Sequence, residues 1–224
     1  SDSLSQVNGT PLIVGGTLQA SADNSINLSG QIESLNLTAA DVQLNLSSST
    51  VIEQIIATTL DLTALTDQAD QANQVSIAEL GNLEISTEAS ISADRVDFLS
   101  GSINEVGDLR VLTPAGGSIN IFSDIKSSVE GGQASNVTGS LFFAADNISI
   151  IGGAADPVSF LTTGTEQGGS VTFTGSALDN SQTPGSSTLT LSGLIEVDTT
   201  FTGNTNFTGA GVAILSDGAN QGAI

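Results

Sequence analysis

Asp67 with Asp70 and Asp94 with Asp97 form two close pairs, each with two residues between its members. Carboxylate oxygens are hard ligands, and a calcium ion gathers about six to eight oxygens around it. These four aspartates are the calcium candidates, and spacing is the argument for them. The loop pattern Asp-x-Asp-x-Asp-Gly is absent, as is the nonapeptide Gly-Gly-x-Gly-x-Asp. The plainer reading of the pairs is a solvated acidic face. Paired carboxylates about 5 to 9.5 Å apart could also cleave glycosidic bonds. With 24 Asp and Glu, some pair meets that distance by chance, and nothing in the sequence selects one. Without Trp or Tyr, the chain makes a poor cleft for sugar rings. Histidine and cysteine are absent as well, which removes the commonest general base and the thiolate nucleophile. We expect no enzyme, no catalytic residue and no cofactor beyond calcium.

The charge balance narrows the partners. Arg95, Arg110 and Lys126 are the three basic residues, and the net charge is −21. Nucleic-acid affinity rests on phosphate neutralisation, so that partner is excluded. Adsorption to anionic lipid is opposed in the same way. No apolar run is long enough to span a bilayer, so no membrane insertion is expected. The chain has no Met and starts on "SDSLSQVNGT", which has neither a basic stretch nor an apolar core. We read it as a processed product or part of something longer, with any export signal gone. Hydrophobic residues make up 38 % and charged residues 12 %. That is too apolar for a disordered polyanion.

What must position such residues is a set of short strands. Apolar residues alternate with polar ones at Ile26/Leu28, Leu35/Leu37, Leu44/Leu46, Leu60/Leu62, Val75/Ile77, Leu83/Ile85, Val96/Phe98, Leu109/Val111, Ile119/Ile121, Leu141/Phe143, Ile148/Ile150, Val171/Phe173 and Leu189/Leu191. Alternation buries one face and wets the other. Gly, Ser, Asn and Asp bound each stretch, as turn formers do. One phrase recurs at nine-residue intervals: INLS at 26–29, LNLT at 35–38 and LNLS at 44–47. Nine residues match one strand and a corner. A longer beat joins Leu37, Leu60 and Leu83, 23 residues apart each time, which suggests three sides of about eight residues per coil. Hairpin signals are scarce, with Asn-Gly only at 8–9 and Asp-Gly only at 217–218. Coils of about 15 residues would stack Arg95 on Arg110, whereas coils of 23 would part them. At about 4.8 Å per coil, roughly ten coils would make a rod on the order of 50 Å long.

The expected fold is therefore all-β: a right-handed parallel β-helix, or β-solenoid, with loop insertions. We expect one domain over 1–224, regular in 10–110 and looser in 111–224, with loops over 126–138 and 153–168. In "TVIEQIIATTL" (50–60) apolar residues at 51, 52, 55 and 56 have helical spacing, and Thr50 with Glu53 reads as a capping box. A short helix is expected near 50–58; its alternative is a strand corner carrying a bulge. Seven Asn-x-Ser/Thr sequons follow from the same alternation and a Ser/Thr/Asn surface.

"GGTLQASADNSINLSGQIESLNLTAADVQLNLSS" (15–48) and "GGSVTFTGSALDNSQTPGSSTLTLSG" (168–193) resemble the repeat region of filamentous-haemagglutinin-type adhesins. The Asn-Pro-Asn-Leu and Asn-Pro-x-Gly signatures of that family's secretion domain are absent. The resemblance implies an exported right-handed β-helix, at the cell surface or outside the cell, and brings no catalytic residues. The expected function is a shaft segment or filament-forming subunit of a surface fibre or matrix. Its expected partners are copies of itself end to end, the rest of a longer chain, or cell-surface glycans. Pectate-lyase-like enzymes share the scaffold, with chemistry similar to proton abstraction by Arg or Lys beside a carboxylate-held calcium. Arg95 between Asp94 and Asp97, and Arg110 near Asp108, are the residues to test against that alternative. Their plainer reading is a surface ion pair. A polysaccharide-acting enzyme and a calcium-dependent surface-layer protein are the competing functions.

Overall fold

The computed structural model describes residues 2–5, 11–65, 76–127, 139–151, 158–163, 171–174, 188–192, 195–200 and 205–207. Every regular element among them is a strand. No described helix is long and apolar enough to cross a membrane. The first six strands are β1 (Ser3–Ser5), β2 (Leu12–Ser21), β3 (Ser25–Thr38), β4 (Asp41–Leu46), β5 (Thr50–Ala64) and β6 (Ile77–Ala93). Then come β7 (Arg95–Phe98), β8 (Asn104–Leu112), β9 (Ser118–Ile121), β10 (Ile125–Ser127), β11 (Leu141–Ala144) and β12 (Asn147–Ile151). The last are β13 (Val158–Thr163), β14 (Val171–Thr174), β15 (Thr188–Ser192), β16 (Ile195–Thr200) and β17 (Thr205–Phe207). They form one parallel sheet that is not closed.

Register partners fall into three rows. Row one carries Leu4, Ile26, Val42, Leu60, Ala89, Leu109, Leu141, Val171 and Thr205. Row two carries Leu18, Leu35, Ile52, Leu80, Phe98, Ile121, Ile150 and Leu191. Row three carries Ala20, Leu37, Ile55, Leu83, Asn104, Ile125, Phe160 and Val197. From β3 onward the chain visits the rows in turn, and long strands such as β3, β5 and β6 cross from one row into the next. A parallel pairing requires such a crossover, because a tight hairpin reverses direction.

The alternation explains the burial. Ile26, Leu35, Leu37, Leu62, Leu83, Val96, Phe98, Ile121 and Phe143 are 0 % exposed, and one apolar cluster runs from Ala22 to Phe173. Complete burial of such a side chain contributes about 1.5–3 kcal/mol. Asn27 and Asn45, between inward residues, face water. Asn27 donates to the Gln43 side-chain oxygen at 2.9 Å, its register partner on the next strand. Four phenylalanines occupy the later core. The Phe143 ring lies 6.1 Å from Phe98, 6.0 Å from Phe160 and 5.0 Å from Phe173, centroid to centroid.

Several expectations need correction. The helix near 50–58 is instead the first part of β5, with a bulge. Register passes from Leu35/Ile52 to Asn36/Gln54, so Glu53 is an extra residue. One inserted residue changes the phase of alternation, which mimics helical spacing. Ile52 and Ile55 point inward while Val51 and Ile56 are half-buried. The capping box fails with the helix: Glu53 Oε1 accepts from the Thr17 hydroxyl at 2.9 Å and the Ser34 hydroxyl at 2.7 Å. The 23-residue beat does not mark stacked residues either. Leu37 stacks on Ile55, and Leu60 belongs to another row, on Val42. Steps along row one run 16 residues (26 to 42), 18 (42 to 60), 29 (60 to 89), 20 (89 to 109), 32 (109 to 141), 30 (141 to 171) and 34 (171 to 205). Parallel register fixes the phase of each strand but not the length of the connection. Two nine-residue beats instead approximate one early turn, which lays Leu44 on Leu28. Within the expected loops, Lys126–Ser127 belong to β10 and Val158–Thr163 form β13.

Candidate functional site

Row one presents two outward lanes, because the inward residue of each strand is flanked by two that face water. The first lane is Ser25, Asp41, Thr59, Glu88 and Asp108; the second is Asn27, Gln43, Asp61, Ser90, Arg110 and Phe142. Together they line an open groove of about 880 Å³. Its floor is the backbone of β3, β4, β5, β6 and β8, and its carboxylates are those of Asp41, Asp61, Glu88 and Asp108. Two of them are engaged. Asp41 Oδ1 accepts from the Thr59 hydroxyl at 2.7 Å, and Asp108 Oδ1 accepts from the Ser140 amide at 2.7 Å. The Arg110 guanidinium sits 5.3 Å from the centre of the half-buried Phe142 ring, within cation–π range. A smaller depression of about 360 Å³ lies on row three, where Ile56, Glu84 and Glu105 follow one another.

Asp94 immediately precedes β7 and Asp97 lies within it, midway along row two. Asp94 Oδ2 accepts from the Ser76 amide at 2.9 Å, which ties the bend before β7 to the preceding turn. Asp97 is buried at 6 % exposure. Its Oδ1 accepts from Arg95 Nε at 2.9 Å and from Asn120 Nδ2 at 2.7 Å, and its Oδ2 lies 2.7 Å from Arg95 Nη2. This two-point pairing satisfies a buried carboxylate with a planar guanidinium. The Asp97 hydrogen bond raises the Arg95 pKa above its ordinary value; burial opposes this, and the Asp97 and Glu79 charges add to it. Asp97 is thus held by a cation inside the protein. Asp67 and Asp70 lie outside the described residues. Among the described residues no three metal-ligating side chains come together.

Arg95 and Arg110 do not stack. Arg95 registers with Ile77 and Ser118 in row two, while Arg110 registers with Ser90 and Phe142 in row one. The row-one groove went unread in the sequence, because its lanes combine residues from five connections of unequal length. One signal was available: outward positions beside Ile26, Val42 and Leu60 carry Ser, Asn, Asp, Gln and Thr. Comparison with family models, with curated proteins and with solved structures found no match.

Proposed function

We propose that the chain is a stretch of right-handed parallel β-solenoid serving as an extracellular structural shaft, adhesive or filament-forming, without catalytic activity. The observation that carries this reading is three rows of parallel partners stacked over one aliphatic column. Right-handed connection is the rule for parallel crossovers. Nine strands in row one, about 4.8 Å apart, give a stack roughly 40 Å long. The first full turn supports an end-to-end arrangement. Among the described residues β2 has register partners in β3 alone. Its inward residues Leu12, Val14, Leu18 and Ala20 pack on the core but stay only half-buried. An open strand edge with half-covered aliphatics is a template for another strand. The occupant we assign is a further coil, from a second copy or from a longer chain. Electron microscopy and sedimentation velocity at rising concentration should show rods that lengthen, and Val14→Lys with Leu18→Lys should stop the lengthening. Globular particles would sink the shaft; rods of fixed length would remove the self-stacking version.

A second reading is favoured by the row-one groove. Glu88 and Asp108 are in register on adjacent strands, at a spacing of about 4.8 Å, near the short separation used by retaining glycosidases. Arg110 follows Asp108 by two residues on the same face of β8, in the second lane. A polysaccharide-acting enzyme would use these three. Incubation with acidic and neutral glycans, with and without chelator, should release no new reducing or unsaturated ends if the shaft reading holds. Release that disappears in Glu88→Gln would establish the enzyme instead.

A further inference from the structure

Register places carboxylate against carboxylate at three positions: Glu79 on Asp97 in row two, Glu84 on Glu105 in row three, and Glu88 on Asp108 in row one. All three pairs span the same boundary, between β6 and the turn made by β7 and β8. No other register pair among the described strands sets acid on acid. Like charges directly opposite one another in a sheet repel. The β5 side brings no charge: Val51, Ile56 and Thr59 register with Glu79, Glu84 and Glu88, and Gln54 donates to Glu84 Oε1 at 3.4 Å.

The chain's three basic residues all lie beside this boundary, one for each pair. Arg95 is ion-paired with Asp97 at 2.7 Å and feels the Glu79 charge. Lys126 registers with Glu105. Arg110 lies two residues beyond Asp108 on the same face of β8, where Asp61 and Asp41 also line the groove. Six acids thus face three cations across one junction, one acid in excess on every row.

We infer that this boundary is an ionic-strength-sensitive junction, the place where the stack opens first in low salt and tightens as counter-ions screen it. Charges about 5 Å apart repel with little screening at 10 mM salt, where the Debye length is about 30 Å, and are screened appreciably only as that length shrinks towards about 3 Å at 1 M. Among the described residues only Arg95 forms an ion pair with an acid of the junction, so the cations do not neutralise it. Opening there would separate β1–β6 from the strands that follow. The inference needs only the parallel register and stands apart from the shaft reading.

Hydrogen exchange of the full chain in 10 and 500 mM NaCl tests it directly. Salt should slow exchange at Arg95–Phe98 and Asn104–Leu112 more than at Ser25–Thr38. Equal slowing everywhere overturns the inference, since that reports only the net charge. A charge-matched comparison supplies the second test. The triple variant Glu79→Gln, Glu84→Gln, Glu88→Gln leaves three acids facing three cations. Its melting temperature at low salt should rise by roughly 2–10 °C, with a shallower dependence on NaCl. The control Asp2→Asn, Asp23→Asn, Glu33→Gln removes the same charge away from this boundary, where no acid faces another in register, and should gain less. Equal gains for the two triples overturn the inference. Adding MgCl₂ or CaCl₂ at matched ionic strength separates screening from bridging: no extra slowing over NaCl supports screening, and large extra slowing replaces it with a bound cation.

Discussion

Phe143→Ala should be the most damaging single substitution in the described core, costing about 3–5 kcal/mol. The ring is 0 % exposed and touches all three rows at once. Phe98 contacts it edge-on from row two and Phe160 from row three, at interplanar angles of 76° and 78°. Phe173, its register partner, stacks on it at 13°. Aromatic pairs add about 0.5–1.5 kcal/mol each beyond the area they bury. The hole left by Ala could not collapse readily. The three surrounding rings are set by hydrogen-bonded strands, and Phe160 also braces Phe173 at 5.3 Å. The melting temperature should fall by roughly 6–20 °C, at about 2–4 °C per kcal/mol for a chain of this size. Stacked turns interact mainly with their neighbours, so the loss should be local. Hydrogen exchange should accelerate at Leu141–Ala144 and Val171–Thr174 while Asp41–Leu46 keeps its protection. A loss under about 1 kcal/mol would mean that the aromatic cluster is not packed as described.

The same core shows what was legible in the sequence. Ile26/Leu28, Leu35/Leu37, Leu109/Val111 and Ile119/Ile121 point inward as alternation requires, since that pattern depends only on the pleat. Parallel pairing was legible too, because scarce hairpin signals left few antiparallel routes. Which residues stack was not. The step from Leu60 to Ala89 is 29 residues, and from Ala89 to Leu109 it is 20. Outward connections absorb the difference at little cost, so the inward column keeps no fixed period. Bulges hid more. The extra residue Glu53 makes a strand look helical, and another shift between Ile85 and Glu88 offsets row three from row one. For that reason the acids at 79, 84 and 88 face those at 97, 105 and 108 despite unequal spacing. Asp94 and Asp97 stood out as a close pair with Arg95 between them, yet their other partners, Ser76 and Asn120, come from the turns on either side.

Gly107→Ala should destabilise by about 1–3 kcal/mol, a cost set by space. A Cβ at Gly107 would overlap the backbone carbonyl of Thr87, and one at Gly139 would overlap that of Gly107. Successive turns approach closely at this corner, where row three passes into row one. The buried Ser127 hydroxyl fills the remaining gap, donating toward the Gly107 carbonyl at 2.8 Å and the Gly139 carbonyl at 3.1 Å. All the atoms in contact are backbone or fully buried, so none can swing away as a flexible side chain could. An added methyl must spread the corner between Thr87 and Gly107. The register pairs on either side, Glu84 with Glu105 and Glu88 with Asp108, would be strained together. Gly107→Val should cost more than Gly107→Ala, since two further methyls meet the same wall. Gly15→Ala is the control, because a Cβ there has nothing within 4 Å. It should stay within about 0.5 kcal/mol of the parent. Chemical denaturation of the three variants would decide the matter: if Gly107→Ala matches Gly15→Ala, the turns are not in contact at this corner, and the close stacking of β6 on β8 loses its support.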